Sequence, residues 1–462
     1  MTTATIREKV TAAIAKWAAN LRFEDLSADA IYQAKRFLLD SLGCALGGFR
    51  QHDVQIALAV LDETAASGPA TVIGTGKRLD VLSASLANAL MVRVMDYNDI
   101  YWKQDPCHPS DIIPAALACC ERHSSGGEEL IVGIAIGHEF EQRFCEAAFP
   151  GIRERGWHHA TLTAFVSPIV AGRCLHLGGE EIQHAIGISG SHHCTLGAVT
   201  AGTLTMMKNT VDPLATQSGV LAALLAEKGY TGPEHVIDGK EGLAHCFGPK
   251  WSLEILTDGL GESWRITRCG MKAFPTEALT HAPISAVLDI VKGNDLAPEA
   301  VAEVHVRTLQ RAADILADSS KYDPRSKETA DHSLPYVIAA ALVDRNVTPA
   351  QFTAAKIADP RIRAQLSKVK VVADPEVERL FPALQRVIVK ITTHDGRSFE
   401  KRLDYPKGDP RNPLTDEEVE AKFAALAGGV IGEDRQKRVK DLVWNLEKLA
   451  SVSELMEVMV EE

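Results

Sequence analysis

Asp96, Asp99 and His108 are the first residues in this chain whose types and spacing can do chemistry. They fall within residues 95–114, a Pro-broken stretch with helix-like runs on both sides. Two carboxylates and an imidazole supply a proton acceptor, a proton donor and a group to orient them. Residues 81–95 are small and apolar, as a buried helix would be. Polar groups crowded at the mouth of buried helices are expensive unless satisfied or used. A capped loop with a surface histidine fits the same residues, because Ser110 can cap a helix starting near Asp111.

Four further stretches carry candidate groups. Gly156-Trp157-His158-His159 puts two histidines at the start of an apolar helix, where the dipole favours a neutral imidazole. Capping or a core histidine is the bland alternative. Lys208 follows apolar residues and precedes a small-residue helix over 215–226, so it is either desolvated and aimed inward or snorkelling. Lys272 and Glu277 flank a Phe-Pro-Thr turn near a change in sequence character, where ligand sites are common and a polar hinge is equally compatible. The fourth stretch gathers Lys321, Tyr322, Arg325, Glu328, Asp331 and His332 just before an apolar helix. An elaborate cap through Asp331 and Ser333 also fits it.

These groups need elements to position them. The chain has 462 residues, too many for one compact core, and reads as two domains. Ser27 caps a helix with Ile31, Ala34, Leu38 and Leu42 inward, and Gly43, Gly47 and Gly48 allow close packing at its end. Ile6, Val10, Ile14, Trp17 and Leu21 share one face of a first helix, with a transit-like segment as the alternative because of Arg7, Lys9 and Lys16. Residues 71–76 read as a short extended piece. Helix follows helix from 81 to 228, including 128–144, and no β-α-β alternation favours a nucleotide-binding fold. After Arg265 strands enter: 301–309 and 368–372 alternate, and 386–393 with 397–403 flank His394-Asp395-Gly396, a hairpin signal. Residues 332–343 read as a helix, 405–413 as a rigid linker, and helices return from Asp416. The expected architecture is mainly α with a smaller α+β domain. A large all-helical domain over 1–271 is completed by 410–462, and an α+β lid covers 272–405.

The formal net charge of -12 argues against a general nucleic-acid or anionic-membrane surface. No apolar run of about 18 residues predicts a membrane span, and no signal-peptide core is seen. Nine scattered cysteines without a C-x-x-C pair suit reduced thiols in a cytoplasmic protein, and neither a structural zinc nor an iron–sulfur site is expected.

Together, Asp96-Tyr-Asn-Asp99 with His108-Pro-Ser-Asp111, Gly156-Trp-His158, Met207-Lys208, Phe274-Pro-Thr-Glu277, the 328–336 run and Tyr405-Pro-Lys-Gly-Asp-Pro-Arg-Asn-Pro413 resemble a known pattern. It is that of the 2-methylcitrate dehydratase / cis-aconitate decarboxylase family (MmgE/PrpD), matched in order over nearly the whole chain. The resemblance implies a homodimeric lyase acting on tricarboxylates without metal or other cofactor. It assigns catalytic roles to Asp96, His108, His158, Lys208, Lys272 and Tyr322, with Asp99, Ser110, Glu277, Arg325 and His332 completing substrate binding. Two positions bear on subclass. Ile100 stands where the family often has Thr, which removes one hydroxyl contact, and Glu277 resembles the dehydratases where decarboxylases carry His.

The expected reaction is dehydration of a citrate-type acid, 2-methylcitrate to 2-methyl-cis-aconitate in propionate catabolism. A decarboxylase or epimerase of a related polycarboxylate is the rival within the class, and a silent small-anion binder the rival outside it. Dehydration removes a proton α to a carboxylate and expels a β-hydroxide. Lys208 and Lys272 are expected to hold the charged carboxylate. His158 is expected to act as base, and His108, oriented by Asp96, as acid.

Overall fold

The computed structural model describes residues 9–201, 204–248 and 250–461. Ile6 of the expected first helical face and Arg7 of the transit-like alternative lie outside these residues. Helices dominate the first half because their sequences are apolar on most sides. Every residue of the helix Ala160–Cys174 is buried, and Val81–Arg93 and Ile113–His123 are nearly so. A helix without a polar face must sit inside a bundle. These helices and Met207–Glu227 pack on one another and on Gly127–Ala147.

Ends of elements follow local chemistry. The Ser27 hydroxyl accepts the Ala30 N–H and starts the helix Ala28–Gly48. A Cβ at Gly48 would lie 2.2 Å from the Met91 carbonyl, so only glycine lets these helices approach. Two differences from the sequence reading concern helix starts. Ser110 does not cap a helix: a short 3-10 turn, Pro109–Ile112, precedes Ile113–His123, and the Ser110 hydroxyl donates to Asp99. Lys208 sits in the first turn of Met207–Glu227 rather than before the helix.

Two large buried cores divide the described chain. One draws on residues between Ile14 and Met271 and between Leu414 and Met459; the other runs from Phe274 to Ile391. The second core is built on a four-stranded sheet in the order Val369–Ala373, Val301–Thr308, Val387–Thr393, Ser398–Leu403. The first pair is parallel and the other two antiparallel. In Val387–Thr393 every second residue is buried, the pattern of a sheet covered on one face. The helix Leu334–Asp344, started by Ser333, packs against this core. The helix Asp416–Ala427 returns to the first core and lies on Ala28–Gly48.

The predicted loop at 95–114 is partly a sheet. Asp99–Trp102 pairs with Pro106–Cys107 on one side and with Gly270–Met271 on the other. This small sheet stands where the chain passes between the cores. Gly408 seals it from the linker: its carbonyl accepts the Met271 N–H at 3.0 Å. A Cβ there would lie 1.8 Å from the Met271 carbonyl oxygen, and its φ is +95°. Among the described residues no helix is long and apolar enough to cross a membrane.

Candidate active site

Asp96 follows the C-terminal end of Val81–Arg93 and takes a left-handed backbone, φ +52°, that turns its carboxylate inward. Three cations converge on that carboxylate. Arg93 Nη1 lies 2.5 Å and Lys272 Nζ 2.7 Å from Oδ1, and Lys208 Nζ lies 3.2 Å from Oδ2. All four side chains are buried. Burial pushes the Asp96 carboxyl up, but Lys208, Lys272 and Arg93 outweigh it and hold it well below its ordinary range. Burial pulls the Lys208 ammonium down, against the opposing pull of Asp96. Arg93 also faces Asp111 and Asp212, at 3.4 and 3.7 Å. Lys208 Nζ makes no well-aligned hydrogen bond, so a buried ammonium is left with unused donors.

The histidines stand beside this cluster in one cleft of about 110 Å³, also lined by Ile100, Trp102, Arg153 and Glu277. Burial keeps His108 and His158 well below the ordinary histidine pKa. Their backbone contacts fix their tautomers. His108 Nδ1 lies 2.7 Å from the Asp99 carbonyl, so this nitrogen carries the proton and Nε2 keeps its lone pair. His158 Nδ1 accepts the Ala160 N–H at 3.2 Å, which puts its proton on Nε2. The backbone of Asp99, not the carboxylate of Asp96, orients His108; this corrects the sequence expectation. His159 stacks on His158 with centroids 3.9 Å apart and points Nε2 at Asp212, 3.4 Å away. His332 bonds Asp331 through Nδ1 at 2.6 Å, and burial lowers its pKa. Glu277 accepts the Leu279 N–H, and burial pushes its carboxyl up to about 7.

The cleft thus gathers Asp96, His108, His158, Lys208, Lys272, Glu277 and His332 of the residues singled out by sequence. It leaves four aside. Asp99 and Ser110 bond each other: the Ser110 amide and hydroxyl both donate to the Asp99 carboxylate, which also faces His138 and Cys269. Both side chains are fully buried away from the cleft lining and brace it from behind. The Tyr322 hydroxyl donates to the Val369 carbonyl, and Arg325 is an exposed partner of Asp323. Sequence reasoning missed Arg93, Arg153 and Trp102, all in the lining, where His159 and Lys321 of the candidate stretches also stand. Arg93 carried a usable signal, since it lies one turn before Asp96 at a helix end. Arg153 carried none: its 3-10 turn, Ile152–Arg155, is held by the buried Asp105 carboxylate, which accepts the N–H groups of Ile152 and Arg153.

Three side-chain groups among the described residues have ligand atoms close enough for a metal: Asp99, His138 and Cys269; Cys107, Glu141 and Cys145; His158, His159 and Asp212. None is well suited to one. Arg93 already faces Asp212, and His158 Nδ1 is engaged by Ala160. Burial raises the thiols of Cys107, Cys145 and Cys269, which opposes the thiolate a metal requires. Chemically, the cleft offers the two buried ammonium groups of Lys208 and Lys272, a neutral imidazole with a free lone pair, an imidazole N–H and a carboxyl poised near neutrality.

Comparison with known proteins gives the family of the chain. Residues 12–256 match the MmgE/PrpD N-terminal domain and residues 274–448 the MmgE/PrpD C-terminal domain. The chain is 26% identical to cis-aconitate decarboxylase of Aspergillus terreus, over 97% of this chain and 96% of that protein. It is likewise 26% identical to cis-aconitate decarboxylase of Homo sapiens, over 94% and 91%. With 2-methylcitrate dehydratase of Cupriavidus necator it shares 25% identity over 84% of each chain. With both family domains matched in order, on either side of the junction that carries Lys272, the chain belongs to the MmgE/PrpD family.

Proposed function

We propose that this protein is a lyase that dehydrates a citrate-type tricarboxylate, with 2-methylcitrate as the first candidate. The observation that carries the reading is convergence: Lys208 and Lys272 reach one carboxylate from two parts of the chain, beside two histidines kept neutral by burial. The lysines stabilise the substrate carboxylate as negative charge builds on it. His108, with its free Nε2, removes the α-proton. Glu277 is half-protonated near neutral pH and gives its proton to the departing hydroxide, while the His158 Nε2–H steadies that oxygen. One C–H and one C–O bond break, a C=C bond forms and water leaves. His108 is then the base and His158 a donor, the reverse of the assignment expected from sequence. Ile100, Trp102, Leu204 and Ile315 give the cleft an apolar wall against which a substrate methyl can rest.

A second reading, decarboxylation of a related acid, is favoured by the fuller coverage of the decarboxylase relatives, 97% of this chain against 84% for the dehydratase. One panel separates the readings. 2-Methylcitrate and citrate are tested for an ultraviolet-absorbing unsaturated product, and cis-aconitate for release of carbon dioxide. Product from the first pair supports dehydration, carbon dioxide supports decarboxylation, and binding without turnover of any of them leaves a silent anion binder.

The same reading carries a homodimer and a cytoplasmic setting. All nine cysteines are free thiols, as a reducing compartment requires. Light scattering that finds a stable particle of about the chain mass, 50.0 kDa, at micromolar protein would remove the dimer.

A further inference from the structure

Arg153 differs from the three buried cations of the cleft wall. Arg93, Lys208 and Lys272 are all bound to Asp96, and beyond the wall Arg311 is paired with Glu154. Among the described residues the Arg153 guanidinium has no ion-pair or hydrogen-bond partner, yet it lines the cleft. It is also held in place. Asp105, itself buried, accepts the N–H groups of Ile152 and Arg153 at 2.8 and 3.0 Å, and the guanidinium carbon lies 5.7 Å from the Trp102 ring centroid. A guanidinium half withdrawn from water, preoriented and unpaired is built to receive a planar anion through two parallel hydrogen bonds. Charge points the same way. The chain as a whole is strongly acidic, so an anion with several charges needs more local cations than those already occupied by Asp96.

We infer that Arg153 binds a second, non-reacting carboxylate of the substrate and so sets a preference for polycarboxylates over acids that lack this group. The inference rests on the proposed reading of the cleft as a tricarboxylate site. It assigns the inner lysines to the reacting carboxylate and Arg153 to another one.

The test compares two inert ligands by calorimetry: tricarballylate, which has three carboxylates and no hydroxyl, and glutarate, which lacks the central carboxylate. Wild-type protein should bind tricarballylate at least tenfold more tightly than glutarate. Arg153→Gln should reduce that ratio to about one, and Arg153→Lys should recover only part of it, because an ammonium gives no fork. In turnover, Arg153→Gln should raise KM about tenfold and leave kcat within about threefold, the signature of a contact made equally in ground and transition states. Thermal melting of both variants checks folding. If wild-type protein turns over a tricarboxylate and the binding ratio survives in Arg153→Gln, the role of Arg153 is overturned and the functional reading stands. If wild-type protein neither turns over a tricarboxylate nor binds tricarballylate, both fall.

Discussion

Lys422 and Asp40 form an ion pair 2.6 Å apart, directly behind the site. The same Lys422 Nζ donates to the carbonyls of Tyr97 and Lys272, at 2.7 and 3.0 Å, and lies 3.9 Å from the Tyr97 ring centroid. One ammonium on the helix Asp416–Ala427 thus ties together the two segments that carry Asp96 and Lys272. Asp40 outweighs burial and keeps Lys422 charged.

Replacing Lys422 with Met removes the charge but leaves Asp40 buried beside two unpaired carbonyls. Breaking a buried pair from one side costs about 3–5 kcal/mol, far more than removing both partners. Lys422→Met is therefore expected to lower the denaturant midpoint strongly, and Asp40→Asn/Lys422→Met to recover part of the loss. Urea unfolding of the two variants beside wild type measures this. A double variant no better than Lys422→Met would show that the carbonyl contacts, not the stranded carboxylate, dominate.

Glu277 gives a pH prediction. Its folded pKa is raised from 4.5 to about 7 by burial. A raised carboxyl favours the fold while protonated, so its contribution is fully present below pH 4.5 and is lost as pH rises through about 7. Glu277→Gln mimics the protonated form. Its melting temperature should match wild type at pH 5 and exceed it at pH 8. If Glu277 supplies the proton to the leaving group, the same variant also loses the alkaline limb of the kcat profile near pH 7. Equal melting differences at both pH values would place the carboxyl in water.

The parts of this molecule that were legible in its sequence are those decided locally. Ser27 announces its helix because the cap lies three residues from its partner Ala30, and Gly396 marks a hairpin because the turn needs a positive φ. Alternation in 301–308 marks a strand because one face of the sheet is covered. What could not be read depends on distant partners. Asp99–Trp102 becomes a strand only when Gly270–Met271 comes beside it. The roles of His108 and His158 turn on which nitrogen meets a backbone group, and the site of Tyr322 on where the Val369 carbonyl falls. Residue type marks a candidate, and tertiary contacts decide its tautomer and direction.

Activity is expected to survive exhaustive dialysis against a chelator. The cleft group of His158, His159 and Asp212 lies beside the Arg93 guanidinium, which already supplies a positive charge where a dication would sit. The two remaining groups contain thiols held protonated by burial. Loss of activity on dialysis, with recovery on adding iron or zinc, would refute this.

Lys208 and Lys272 carry the most demanding prediction. Both bind Asp96 in the free protein, but they are not equivalent. Lys272 Nζ donates to both the carboxylate and the carbonyl of Asp96, at 2.7 and 3.2 Å. Lys208 Nζ has only a 3.2 Å ion pair and keeps spare donors. Lys208 should therefore meet the substrate carboxylate more directly, while Lys272 also fixes Asp96. Lys208→Met keeps most of the stem and removes the charge. If its ammonium is needed as charge builds in the transition state, kcat falls about 10²-fold or more. Lys272→Met should lose a similar factor and in addition melt lower, because Asp96 loses the partner that binds both its carboxylate and its carbonyl while Arg93 and Lys208 remain. A rise in KM alone would move the lysines to a remote carboxylate. Unchanged kcat and KM in both folded variants would mean that catalysis takes place elsewhere in the molecule.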